Sequence, residues 1–199
     1  MIIENIEVAG FKAAIRGMRN PMDSWDLSDS QDDVIGKNDL RLMKQLSAAG
    51  DDHSKFLRMI AVWMDIKAPI FWWSQFDTYK VGTVANSCSK MHKMGSRLLT
   101  IDDFTASSST RANLRGTINH LNVLIKDWQE DKSKNKWRTI IEELPMCYNQ
   151  KRTVMLNYAV LKNMYHSRKN HKLEEWRWFC SKLEDSSLFP YFYDICVDI

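Results

Sequence analysis

Residues 59–92 constrain the fold more than any other stretch of this chain. In residues 59–66, MIAVWMDI, Ile60, Val62, Met64 and Ile66 point one way and Met59, Ala61, Trp63 and Asp65 the other, which is the period of a β-strand. Apolar residues on both sides predict a strand covered on both faces for most of its length. Pro69 suits the first turn of a helix and introduces the aromatic run Ile70-Phe71-Trp72-Trp73. A polar segment rich in Thr, Asn, Ser and Lys follows at once, from Thr78 to His92. Such an order delivers hydrogen-bonding side chains to one edge of a rigid apolar scaffold, and edges of this kind host sites.

The flanking sequence fills in the frame. Residues 2–8 read as a strand, and Phe11 to Met18 as a short helix ending near Asn20-Pro21. Residues 23–37 are acidic (Asp23, Asp26, Asp29, Asp32, Asp33) with few apolar anchors, and are expected to form a mobile surface loop. Asn38 is placed to cap a helix with Leu40, Met43 and Leu46 on its face, closed by Gly50. Residues 102–110 read as a polar linker. The clearest helix runs from Thr110 to Glu130. There Leu114, Ile118, Leu121, Ile125 and Trp128 alternate at spacings of four and three, a narrow seam suited to packing on another helix. After a charged turn at 131–136, shorter helices are expected at 137–144, from about Arg152 to Ser167, and at 170–184. The aromatic tail from Leu188 to Val197 is expected to dock. Strands in the first half and long helices in the second predict an α+β fold with a small, mainly antiparallel sheet, formed by residues 1–199 as a single domain.

Composition excludes several classes. Only 7 glycines are present, with no GxGxxG and no phosphate-binding glycine loop, so dinucleotide-binding and P-loop folds of the usual kinds are not expected. A net charge of +3 does not suggest a nucleic-acid protein. The one basic run, Arg168-Lys169-Asn170-His171-Lys172, is cut short by Glu174 and Glu175. The cysteines, Cys88, Cys147, Cys180 and Cys196, form no CxxC pair and no disulfide or zinc framework. No leader and no long apolar run stands out, and a reduced, cytosolic protein is expected. The 8 Trp and 11 Met are expected in the core or at a subunit interface.

Nucleophilic and metal chemistry find little support. No GxSxG is present, and pairing Cys88, Ser87 or Ser89 with His92 rests on local spacing alone. The five histidines, His53, His92, His120, His166 and His171, show no HExxH and no helical ligand pair, so no metal is expected. The acidic segment 23–33 lacks the glycine and closing glutamate of a calcium loop. What remains is a set of polar residues around apolar elements. His53, Gln75, Tyr79, Lys80, Asn86, Ser87, Ser89, Lys90 and His92 come from the first half. Asn149, Lys151, Arg152, Asn157, Asn163 and Arg168 come from the second. Asn157 and Asn163 fall inside an expected helix, where an uncompensated buried amide costs about 1–3 kcal/mol. Each such residue can satisfy a neighbouring backbone group, but together they read as a polar ligand pocket.

Over residues 38–195 the chain resembles the flavin-dependent thymidylate synthases, the thymidylate synthase-complementing family. The carriers are the segment Lys67-Ala68-Pro69-Ile70-Phe71, the step Gln75-Phe76, and Asn86-Ser87-Cys88-Ser89-Lys90-Met91-His92 against the NExSxRY half of the family signature, with one residue inserted. Leu144-Pro145, the spacings to Asn157, Asn163 and Arg168, the segment from His171 to Trp176 and Phe189-Pro190 add to it. The resemblance implies a thymidylate synthase-complementing-like fold assembled as a homotetramer. It implies binding of FAD and of a dUMP-like pyrimidine deoxynucleotide, with NADPH and methylenetetrahydrofolate as co-substrates of one-carbon transfer. It implies Arg168 as the catalytic residue, polarising the uracil carbonyls, with Gln75, Ser89, Lys90, Lys151 and Arg152 also on the nucleotide. His53, Thr78, Tyr79, Lys80, Asn86 and Asn163 would face the cofactor. The chain departs from the family where the signature's Arg-His-Arg becomes Thr78-Tyr79-Lys80. Each lost charge-assisted hydrogen bond there is worth roughly 1.5–3 kcal/mol. The same fold used for nucleotide binding or sequestration without catalysis is therefore the alternative.

Overall fold

The computed structural model describes residues 1–31 and 34–199, with His92 described in its backbone alone. Asp32, Asp33 and the His92 side chain, named above, thus lie outside the described residues. In chain order the elements are β1 (Ile2–Ala9), α1 (Phe11–Arg19), α2 (Lys37–Ala48), β2 (Ala61–Pro69), α3 (Ile70–Phe76), β3 (Val84–Ser87), α4 (Lys90–Lys93), α5 (Ser108–Asp131), α6 (Lys134–Glu142), β4 (Asn149–Asn157), α7 (Tyr158–Arg168) and α8 (Glu174–Leu183). Among the described residues the strands form one four-stranded antiparallel sheet in the order β1-β2-β4-β3. With its long helices this is the expected α+β architecture. The chain divides into two units. The first is Met1–Ile3, Asp65–Thr78 and Asn86–Thr153; the second is Glu4–Met64, Tyr79–Ala85 and Val154–Ile199.

In the first unit the α5 seam is buried as its spacing predicts. Leu114, Ile118, Leu121 and Ile125 pack with Ile140 of α6 and with Met94, Leu99 and Phe104, and Trp128 lies half-buried beside them. Helix α3 starts where its amides find outside acceptors. Ile70 N–H donates to the Tyr148 carbonyl at 3.0 Å and Phe71 N–H to that of Met146 at 3.1 Å, satisfying donors that a helix start leaves without intrahelical partners. Its apolar side is an aromatic triad: Trp72, Trp73 and Phe76 have ring centroids 5.0–5.1 Å apart and are at most 1% exposed.

In the second unit α1 and α7 pack on a 3-10 segment, Ser54–Met59, and the tail Tyr193–Val197 packs on α2 and α7. The aromatic tail docks as expected. Phe189, Phe192, Ile195 and Cys196 are fully buried, and the Tyr158 hydroxyl donates to the Pro190 carbonyl at 2.7 Å. Gly10 joins β1 to α1 with φ 106°, and a Cβ there would strike the Met59 carbonyl, so no other residue fits.

Four expectations are corrected. Residues 23–31 and 34–37 are anchored through polar groups. Arg19, 5% exposed, donates through Nε to Asp39 Oδ1 at 2.7 Å and through its Nη atoms to the carbonyls of Ser24 and Leu27. Ser28 and Ser30 both donate to Asp39 Oδ2 at 2.6 Å. The cap of α2 is likewise supplied from the loop: the Asp29 carboxylate accepts from Asn38 N–H and Asp39 N–H, and Asn38 lies two residues past the N-cap position, Gly36. Strand β2 is fully covered on one face, with Val62, Met64, Ile66 and Ala68 at 0–1% exposure, and only half-covered on the other, where Ala61, Asp65 and Lys67 are half-buried and Trp63 is 37% exposed. Finally, residues 152–157 are strand rather than helix. Gln150, Val154 and Leu156 alternate inward, and Asn157 is the N-cap of α7, accepting from Val160 N–H at 3.0 Å, while Asn163 is exposed. Neither asparagine is a buried amide without a partner. Of the tryptophans, Trp72, Trp73 and Trp176 are core, whereas Trp25 is 51% exposed.

Burial disfavours the Asp39 carboxylate, but the Ser28 and Ser30 hydroxyls and the Arg19 guanidinium outweigh it and hold its pKa below the ordinary value. Asp39→Ala leaves Arg19 buried without its counter-charge and is expected to cost about 3–5 kcal/mol in urea denaturation. Because the folded pKa lies below the unfolded one, this stabilisation is full above the unfolded carboxylate pKa. It is lost as pH falls through the folded value. The acid limb of a stability–pH curve is therefore expected to flatten in Asp39→Asn.

Candidate functional site

The sequence-predicted residues fall into two groups, one in each unit. In the first unit the centre is Arg152 on β4. Its guanidinium lies over the Trp73 ring, 4.2 Å from the centroid. Its Nη1 donates to Asp77 Oδ1 at 2.6 Å and its Nε to Gln150 Oε1 at 3.2 Å. Gln150 is 8% exposed and ties the group together: its carbonyl accepts from Trp73 Nε1 at 2.9 Å and its Nε2 donates to the Cys88 carbonyl at 3.0 Å. That last bond holds the chain just before Ser89 and Lys90, both half-buried at the start of α4. Gln75 is half-buried on α3, and its carbonyl accepts from the Thr78 hydroxyl at 2.7 Å. Lys151 points away from Arg152, as neighbours on a strand must, and pairs with Asp65 at 3.0 Å. Both cations of the basic pair are thus matched by carboxylates. Asn86 is exposed on β3.

In the second unit the centre is Arg168, the last residue of α7. Its Nε donates to the Tyr79 hydroxyl at 2.9 Å. Its guanidinium lies 5.1 Å from the Trp176 ring centroid and 5.6 Å from that of Tyr79. Trp176 is fully buried and meets Phe179 edge-on at 5.8 Å, so the platform is rigid. His171 meets Trp176 edge-on at 6.5 Å, and its Nδ1 accepts from Leu173 N–H. Burial lowers the His171 pKa, and the Arg168 and Arg177 charges lower it further, which keeps the imidazole neutral near Arg168. Lys80 is exposed, and Asn163 accepts from the Ser167 hydroxyl at 3.3 Å.

The second unit also holds a cleft of about 1020 Å³. Met18, Leu42 and Phe56 give it apolar walls, and Arg41, His53 and Lys55 give it a basic side. His53 is exposed there. Among the described residues no group of three or more His, Cys, Asp or Glu comes together, and no helix is long and apolar enough to cross a membrane. Burial pushes the Cys180 and Cys196 thiols up to about 12, so neither is a ready nucleophile.

Sequence reasoning missed Asp77, Gln150 and Asp65 as partners of the basic pair. The signal for Gln150 was available: it falls in register with Val154 and Leu156 once β4 is read as a strand. Nothing local marks Asp77, which lies 75 positions from Arg152.

No protein-family model and no curated protein matches the chain. Its backbone is similar to flavin-dependent thymidylate synthase ThyX from Helicobacter pylori complexed with FAD and dUMP, with a TM-score of 0.80, 15% identity, and coverage of 100% of this chain and 99% of that one. A second structure of that enzyme with FAD and dUMP gives 0.79 at 15% identity, covering 100% and 98%. The UMP/dUMP methylase PolB from Streptomyces cacaoi, bound with 5-Br dUMP, gives 0.66 at 15% identity, covering 96% and 94%. The chain therefore has the fold of the flavin-dependent thymidylate synthases, at a sequence identity of 15%.

Asp77→Asn is expected to cost less than about 1 kcal/mol in urea denaturation, because its carboxylate is half exposed. Arg152→Ala also uncovers Trp73 and is expected to cost more, about 1–2 kcal/mol. Equal costs would show that the stack on Trp73 contributes nothing.

Proposed function

We propose that this chain binds a pyrimidine deoxynucleotide of the dUMP type at Arg168 and methylates its ring with FAD as cofactor. The supporting observation is Arg168 itself, a guanidinium set on a rigid aromatic platform at the end of α7, in a fold shared with dUMP-bound enzymes. A fixed cation facing the uracil carbonyls favours the anionic ring and so raises electron density at the carbon that accepts the one-carbon unit. On the family resemblance, Gln75, Ser89 and Lys90 of the first unit are further candidates for the nucleotide. The basic candidate of that unit is Arg152 or, on the opposite face of β4, Lys151, held by Asp77 and Asp65 respectively. The whole chain, residues 1–199, works as one domain in a cytoplasmic homotetramer.

The cleft beside His53 suits a flavin in size and in its apolar walls, and Arg41 and Lys55 suit its phosphates, Lys55 by leaving Asp52, which also lines the cleft. His53 lines that cleft; Lys80, Asn86 and Asn163, which the family resemblance also assigns to the cofactor, lie outside its lining. The Thr78 hydroxyl already donates to the Gln75 carbonyl and the Tyr79 hydroxyl already accepts from Arg168, which leaves Thr78 as an acceptor and Tyr79 as a donor toward a flavin. FAD bound there would supply the reducing chemistry for transfer of a one-carbon unit from methylenetetrahydrofolate, with NADPH as the source of electrons.

The two occupied hydroxyls favour a second reading, nucleotide binding or sequestration without catalysis. Purified protein titrated with FAD and, separately, with dUMP by calorimetry decides between them. Flavin that stays bound through gel filtration, with dUMP binding, is expected for the enzyme. A colourless protein that binds dUMP supports sequestration. In both cases Arg168→Ala is expected to weaken dUMP about ten- to a hundred-fold, the worth of one charge-assisted bond. Wild-type protein that binds no pyrimidine nucleotide overturns both.

A further inference from the structure

We propose that Tyr79 is a positioning residue, which fixes the plane of the Arg168 guanidinium for the pyrimidine through its hydroxyl. The inference rests on the assignment of Arg168 to the nucleotide. Three observations in the second unit carry it. The Arg168 Nε–H bond to the Tyr79 hydroxyl, at 2.9 Å, joins residues 89 positions apart. The Trp176 face lies under the same guanidinium at 5.1 Å. The Tyr79 ring leans on Trp176 with centroids 6.1 Å apart and planes at 60°, so the hydroxyl cannot swing away independently of that buried ring.

A stacking contact alone leaves an arginine free to rotate within the plane of the platform. A hydrogen bond at Nε removes that freedom, and with it sets the direction in which the Nη pair points. The phenol does this without a negative charge, so this bond leaves the positive charge of Arg168 in place for an electron-rich ring. The chemistry that benefits is recognition of a planar, carbonyl-bearing heterocycle, which needs direction as well as charge. Tyr79 stands in the segment where the family signature has Arg-His-Arg. Its role is therefore assigned to Arg168 rather than to direct contact with a flavin.

The test uses the full chain and two signals. The first is the Arg168 Nε–H resonance of 15N-labelled protein, identified by its absence in Arg168→Lys, and needs no ligand. Tyr79→Phe keeps the ring and removes the acceptor, and is expected to speed exchange of that proton at least three-fold with an unchanged melting temperature. Tyr79→His keeps a ring and an acceptor and is expected to restore slow exchange. The second signal is dUMP affinity by calorimetry. Tyr79→Phe is expected to weaken it about three- to ten-fold in the wild-type background and not at all in Arg168→Lys. Exchange and affinity both unchanged in Tyr79→Phe overturn the proposal, as does an equal loss of affinity in the Arg168→Lys background. If wild-type protein binds no dUMP, the functional reading fails on the second signal. The first signal still decides whether Tyr79 holds Arg168.

Discussion

The ion pair between Arg19 and Asp39 is the constraint on which much of the second unit depends. The segment it holds has few apolar anchors, since Met22, Trp25 and Leu27 are all more than half exposed. One buried guanidinium gathers two loop carbonyls, and one buried carboxylate gathers two loop hydroxyls. The loop so fixed presents Asp29 to the amides at the start of α2, and α2 in turn carries the docked tail. A buried ion pair is a weak source of net stability, because desolvation offsets most of its attraction. Its value here is in geometry: an apolar pair of the same size would offer nothing to the two loop carbonyls and two loop hydroxyls that the pair now holds.

Each cluster of candidate site residues is likewise set by satisfied backbone groups some distance along the chain. In the first unit, carbonyls from 146 and 148 start α3, which brings Trp73 under Arg152. In the second, the Asn157 side chain starts α7, and eleven residues later the last turn delivers Arg168, where the helix dipole favours a cation. A helix that began one residue earlier or later would turn Arg168 by about 100° around its axis and away from Trp176. The cap and the arginine are therefore one device, although the cap touches nothing chemical.

What could be read from the sequence follows a physical division. The α5 seam, the docking tail, β1 and the α3 aromatic run were legible because their periodicity or apolar content is local. Strand β4 was not, because Val154, Met155 and Leu156 suit either period and no Gly or Pro separates strand from helix. The break is made by Asn157, a residue that reads as helical until its side chain is seen bonding Val160 N–H. The start of α2 was misplaced for a related reason, since its cap comes from nine and ten residues away in the loop. Arg168, Arg152 and Tyr79 were legible as candidates through family resemblance. Their partners were not: the pairings with Asp77 and Tyr79 span 75 and 89 positions and exist only in the folded chain.

Strand β3 has a consequence for how such a chain survives at high concentration. It pairs with β4 on one side and ends the sheet on the other, with all four of its residues exposed and Val84 at 60%. An open edge is a template for unwanted strand addition between molecules. Four residues offer few places for another strand to register, and Asn86 and Ser87 are poor β-formers. Brevity and polarity at that edge act as a built-in guard against aggregation. Lengthening the strand, or replacing Asn86 with Val, would trade that guard for a firmer sheet.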